Sequence, residues 1–209
     1  MSVAVFRWIV WALVASCLGI LVVLGGGFGG AGFFGKRLAE GTGIVPAKLG
    51  GPFSMTAHTG ETVTEKTYAG KPWLVFMGFT HCPDICPTTL SEMSSWFEAL
   101  GAEAADLRGF LVSVDPERDT IENLALYMSS FDKRIVALRP EQAELERFGR
   151  AYKVYFKKVQ LGADDYTMDH TAGVLLFDRG GNFFGTIALE ETRDAALGKL
   201  RRLLQSKGN

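Results

Sequence analysis

The stretch Phe76–Leu90, FMGFTHCPDICPTTL, decides how the rest of the chain is read. It sets two cysteines four residues apart, each followed by proline, behind an apolar run. The run starts earlier: PWLVFMGF (72–79) is nearly continuous and of strand length, as expected for a strand buried on both faces. Beyond the cysteines, Leu90, Met93, Phe97 and Leu100 recur at helical spacing. The cysteines thus fall where a buried strand hands over to a helix. That is the edge at which open α/β sheets place ligands and chemistry.

The prolines shape this loop. Pro87 lacks an N–H and would clash inside a helix, but the first helical position accepts it. The helix is therefore expected to begin at about Pro87, with Cys86 as its cap. A residue before proline is pushed away from helical angles, so Cys82 and Cys86 both read as loop, and CPDIC can turn both sulfurs toward one point. The unpaired N–H groups and dipole of a helix start favour a thiolate at Cys86. Thiolates bind metals and also attack disulfides. A redox pair and a metal site both remain open, since a disulfide across the loop is geometrically plausible.

Working outward, GPFSMTAHTGETVTEK reads as a short hairpin: Phe53–Thr56, a turn at His58-Thr59-Gly60, and Thr62–Thr64. GFLVSVD (109–115) is a second buried strand. Asp119 stands three residues before Glu122, a capping-box pattern that opens a helix through DTIENLALYMSSF. RIVAL reads as a strand, and PEQAELERFGRAY as a helix from Pro140. VYFKKV can pair across a loop. AGVLLFDRGGNFFGTIAL is a hairpin turning at Arg179–Asn182, and Glu191–Leu204 is an amphipathic helix. The alternation describes an α/β sandwich around a central mixed sheet.

The 209 residues suit one ordinary domain plus an additional segment. From Trp8 to Phe34 no residue is charged, and about 20 apolar residues suffice to cross a bilayer. An uncleaved transmembrane helix at about 8–30 is expected, within an anchor of 1–35, followed by a linker at 36–49 and a domain at 50–209. VASC, ending at Cys17, faintly resembles a lipoprotein cleavage box, but the residues after it stay apolar. Arg7 and the amino terminus face Lys36 and Arg37 across the span, so charge does not set its orientation. The net charge of −1 and the scattered Lys and Arg argue against a nucleic-acid footprint. Three cysteines, one of them in the apolar span, exclude a disulfide framework.

Three histidines could complete a site with the thiols. His58 sits in the turn and is expected to face solvent. His81 adjoins Cys82, and neighbours in an extended segment point to opposite sides. His170, in TMDHTAGVLLFD, lies in a loop just before a buried strand, within reach of the end of a neighbouring strand. Asp84 and Asp169 could orient a ligand, but ordinary turn and loop preference is the better explanation of both. In DPERDT, Asp119 reads as a helix cap and Asp115-Pro116 as a turn, not as acidic catalysis.

Three blocks carry a likeness to a known family: GFTHCPDICPTTL, VSVDPERDT (112–120) and DHTAGVLLFDRGG (169–181). In order and separation they resemble the SCO (SenC/PrrC) family of membrane-anchored thioredoxin-like proteins, from about Gly50 to Leu204. One departure is Phe79, where tyrosine is expected. The resemblance implies a thioredoxin-like fold and copper held by Cys82, Cys86 and His170. It also implies delivery of that copper to the CuA centre of cytochrome c oxidase subunit II, with other copper or thiol-redox assembly factors as partners. A non-enzymatic chaperone is expected, on the inner membrane, its body in the periplasm or, in mitochondria, the intermembrane space. Two thiolates and an imidazole suit Cu(I) and Cu(II), and zinc would accept the same set. The alternative is a thiol–disulfide oxidoreductase in which Cys82 and Cys86 keep a partner's copper-site cysteines reduced.

Overall fold

A computed structural model describes residues 49–163 and 165–208, with positions 7, 8, 11 and 16 before them. The expected membrane span, apart from those positions, as well as Cys17 and nearly all of the linker, lies outside the described residues. Among the described residues no helix is long and apolar enough to cross a membrane. The chain divides into units Met1–Ala47 and Lys48–Asn209, and all the elements below belong to the second.

The central strands follow from the apolar runs. β3 (Trp73–Gly78) is buried at every position, and β4 (Arg108–Ser113) at all but its first. They pair in parallel, as β4 does with β5 (Ile135–Arg139). Parallel strands covered on both faces need continuous apolar runs, which explains the missing alternation. On one flank β5 pairs antiparallel with β1 (Ser54–Ala57), which turns back into β2 (Thr62–Thr64). On the other, β3 pairs antiparallel with β8 (Val174–Phe177), which turns into β9 (Phe183–Ile187). The seven-stranded order is β2-β1-β5-β4-β3-β8-β9, a mixed sheet as expected.

Helices cover the sheet. α1 (Ile85–Leu100) buries Cys86, Thr89, Leu90, Met93, Trp96, Phe97 and Leu100, one stripe at helical spacing. It lies over the sheet face to which Gly109 belongs, where an added methyl would meet Met93 and Phe97. α4 (Arg193–Gln205) lies beside it. An aromatic cluster occupies the opposite face. Trp73 stacks on its cross-strand partner Phe177 at 4.1 Å, and both meet Tyr152 of α3 (Gln142–Tyr152). The short α2 (Ile121–Met128) follows β4.

Several helix starts differ from expectation. α1 begins two residues early, at Ile85, with Asp84 as its cap and Cys86 in its first turn. Pro87 still fits, because the first N–H groups of a helix have no partner to lose. The cap of α2 is Thr120, whose hydroxyl accepts from the Asn123 N–H, and not Asp119. α3 starts at Gln142 behind Glu141, and not at Pro140. A strand pair that the sequence reading left half as loop also forms: β6 (Phe156–Gln160) with β7 (Tyr166–His170), a two-stranded sheet of its own.

Gly78 closes β3 against Cys86 of α1. A methyl there would lie 2.9 Å from Leu111 Cδ1, 3.0 Å from Phe76 Cε1 and 3.1 Å from Cys86 Sγ. Close packing leaves no room for the added carbon. Gly78→Ala is expected to destabilise the protein by about 1–3 kcal/mol in denaturant unfolding; an unchanged midpoint would show that this contact is slack.

Candidate metal centre

The cysteine loop leaves the end of β3 in a fixed direction. Thr80 is held by Asp119, which is wholly buried and accepts from the Thr80 N–H at 3.1 Å and the Thr80 hydroxyl at 2.6 Å. The other oxygen of Asp119 accepts from Ser113 Oγ at 2.6 Å. One carboxylate therefore joins the ends of β3 and β4, which is why Asp119 is unavailable as a cap. The Cys82 N–H donates to Phe79 O at 3.3 Å, and the Cys86 N–H, unpaired within the first turn of α1, donates to Cys82 Sγ at 3.4 Å.

His170 arrives from the other side, as the last residue of β7 and not in a loop. Its cross-strand partner is Phe156, and the Thr171 N–H donates to Tyr155 O at 3.0 Å to close that end of the hairpin. The imidazole stands edge-on to Phe76 and Phe79, at 6.1 and 5.9 Å between ring centroids. Phe79 is buried against the histidine through its ring, so the missing hydroxyl leaves the packing intact. Nδ1 lies 3.1 Å from Thr171 O, which assigns it the proton. Nε2 is left with its lone pair, 3.6 Å from Cys86 Sγ.

The two sulfurs and one imidazole nitrogen all lie within 4.8 Å of one another. Metal–sulfur bonds of about 2.3 Å give one ion a matching reach. Cys86 is buried and Cys82 half-buried, beside a cleft bordered by Pro83, Ile85, Met168 and Ala172. Three soft-to-borderline ligands beside an open cleft can hold a metal with a position free for an incoming group.

The other candidates stay apart. His81 is exposed and pairs with Thr80 Oγ1 at 3.1 Å. His58 is not simply solvated: its Nδ1 accepts the Ala137 N–H at 3.1 Å, stitching the hairpin turn to β5. Asp84 and Asp169 are exposed, and the group that orients His170 is a backbone carbonyl, not a carboxylate. The sequence reading also missed Phe76, Tyr166 and Arg118 as supports of this region. Only the alternation in YTMDH hinted at a strand there.

The electrostatics correct one expectation. Burial, reinforced by the Cys82 side chain and its charge, pushes the Cys86 thiol well above its ordinary value, so the helix start does not make it a thiolate in the metal-free protein. Burial also holds His170 below its ordinary value, and the imidazole stays neutral and ligand-ready.

A solved structure of Bradyrhizobium japonicum ScoI with copper bound is 44% identical, with a TM-score of 0.69, over 74% of this chain and 99% of that one. Yeast Sco1 with copper bound is 30% identical, with a TM-score of 0.69, over 77% and 90%. Among curated relatives, the human mitochondrial SCO1 homolog is 41% identical over 138 residues, 65% of this chain and 46% of that protein. The Rickettsia prowazekii SCO2-like protein RP587 is 33% identical over 65% of this chain and 67% of its own length. The chain spans about half the length of the first mitochondrial relatives it matches. Fold and site together define a thioredoxin-like α/β domain whose two thiols meet a histidine from a separate hairpin. The SCO1/SenC family matches residues 42–205, and the chain belongs to it.

These two shifts act on stability at opposite ends of the pH scale. Below the ordinary histidine value of 6.5 the unfolded chain takes up a proton that His170 resists, so metal-free stability falls as pH falls. Above the ordinary thiol value of 9.0 the unfolded chain releases a proton that Cys86 keeps, so stability falls as pH rises. Unfolding midpoints across pH should show both limbs, with the acid limb shallower in His170→Asn and the alkaline limb shallower in Cys86→Ser. Unchanged limbs in these variants would assign the pH dependence elsewhere.

Proposed function

We propose that this protein is a copper carrier of cytochrome c oxidase assembly. Cys82, Cys86 and His170 hold copper, and the protein hands it to the CuA site of cytochrome c oxidase subunit II. The observation that carries this reading is the convergence of two sulfurs and one imidazole nitrogen within 4.8 Å, on a fold whose copper-bound relatives are named above. The domain is tethered to the inner membrane by the apolar segment at about 8–30. It works in the periplasm, or in the intermembrane space if the host compartment is mitochondrial.

Copper is cargo here, and the residues suit carriage. The Thr171 carbonyl fixes the imidazole tautomer, so Nε2 is presented without a proton to remove. The Cys86 thiol must lose a proton on loading, which couples uptake to pH. Cys82, the more exposed sulfur, borders the cleft, where an acceptor's thiolate can replace ligands one at a time. A resident zinc would use the same atoms without needing two soft sulfurs, so metal preference is part of the test.

Full-length protein under reducing conditions should bind one equivalent of copper tightly in the presence of zinc. His170→Ala should weaken that binding by more than the roughly 10–100-fold that loss of an outer-shell partner costs, while the fold is retained. Copper affinity indifferent to His170, or a site preferring zinc, would overturn the reading. Either result would return the cysteine loop to dithiol–disulfide work.

A further inference from the structure

The run DPERDT supplies no metal ligand, yet its residues touch both halves of the centre. At one end Asp119 holds Thr80, two residues ahead of Cys82. At the other, Arg118 reaches the histidine hairpin. Its Nε donates to Asp115 Oδ2 at 2.5 Å and its Nη1 to Tyr166 O at 3.0 Å. The guanidinium lies 3.7 Å from the centroid of the Tyr166 ring. Tyr166 Oη donates to Asp115 Oδ1 at 2.9 Å, which closes the circuit.

The hairpin needs such a clasp. β6 and β7 are not hydrogen-bonded into the seven-stranded sheet, and an isolated two-stranded hairpin is at best marginally stable in water. Phe156 and Met168 pack against the core, but both are only partly buried. Tyr166 stands four residues before His170 on the same strand, so whatever fixes Tyr166 sets where β7 ends. The clasp is also not an ordinary exposed surface pair. Asp115 is 2% exposed, the bond is charge-assisted, and the guanidinium stacks on an aromatic face.

We infer that Arg118 is a positioning residue: through Asp115 and Tyr166 it holds the β6–β7 hairpin where His170 Nε2 faces the two sulfurs. One short loop, Asp115–Asp119, then sets the separation between thiols and imidazole, gripping the cysteine strand with one residue and the histidine strand with another. The inference rests on the metal-holding reading above and names the residues that pre-form its site.

The test is a double-mutant cycle in the full-length chain. It uses Arg118→Ala, His170→Ala and their combination, with Tyr166→Phe as a milder variant that keeps the ring. Three quantities are read: copper affinity against a competing chelator, nitrogen hyperfine coupling of the Cu(II)-loaded protein, and amide hydrogen exchange of β7 in the metal-free protein. Arg118→Ala is expected to weaken copper binding about 10–100-fold, diminish the nitrogen coupling and speed exchange over residues 166–170. In the His170→Ala background it should change copper affinity no further. Tyr166→Phe should move the same readouts in the same direction by less, and it carries the test if Arg118→Ala does not fold. Equal losses in both backgrounds, or unchanged β7 exchange, would overturn the inference. Failure of the wild-type chain to bind copper would sink the carrier reading alone, because exchange in the metal-free protein still reports on the clasp.

Discussion

The site depends first on a buried carboxylate. Asp119 takes donors from Thr80 and from Ser113, at the ends of the two central parallel strands. A carboxylate without solvent around it is costly unless its lone pairs are satisfied, and here three protein donors satisfy them. Once those bonds are made, the chain leaving β3 has one direction, and Cys82 and Cys86 follow. The parallel edge thus supplies a rigid base, and the loops above it carry the chemistry.

On that base the two halves of the centre are built differently. The cysteines belong to the main sheet and its first helix, packed so closely that Gly78 leaves Cys86 Sγ against bare backbone. The histidine comes on a hairpin outside that sheet. Separate mounting brings together two parts of the chain that no sheet hydrogen bond connects. It also means that the position of the imidazole is decided by contacts far from the thiols in sequence. In the metal-free protein burial disfavours both the Cys86 thiolate and the charged His170 imidazole.

Much of this was visible beforehand. Continuous apolar runs marked β3 and β4, helical spacing marked α1, and the three separated sequence blocks identified the family and its candidate residues. The errors had local causes. Asp119 fitted a capping box by spacing, but Thr120 holds the cap, because a buried partner outside the helix claimed the carboxylate. Cys86 was expected as a thiolate at a helix start, and desolvation outweighs that dipole once the side chain lies inside the core. His58 read as solvated, since nothing local showed that β5 would bring the Ala137 N–H against it.

What the sequence by itself determined is the order of elements apart from β7, the strand-to-helix placement of the cysteine pair and the membership of the family. Those rest on periodicity, proline chemistry and motif spacing, all properties of neighbouring residues. What only the tertiary structure decided is how distant groups meet: the resemblance implied that His170 joins the two cysteines, but not the geometry. His170 stands 84 positions from Cys86 along the chain, yet its Nε2 lies 3.6 Å from that sulfur. Arg118 reaches Tyr166 across 48 positions. Such encounters depend on sheet order and on packing between elements, and no local pattern encodes either one.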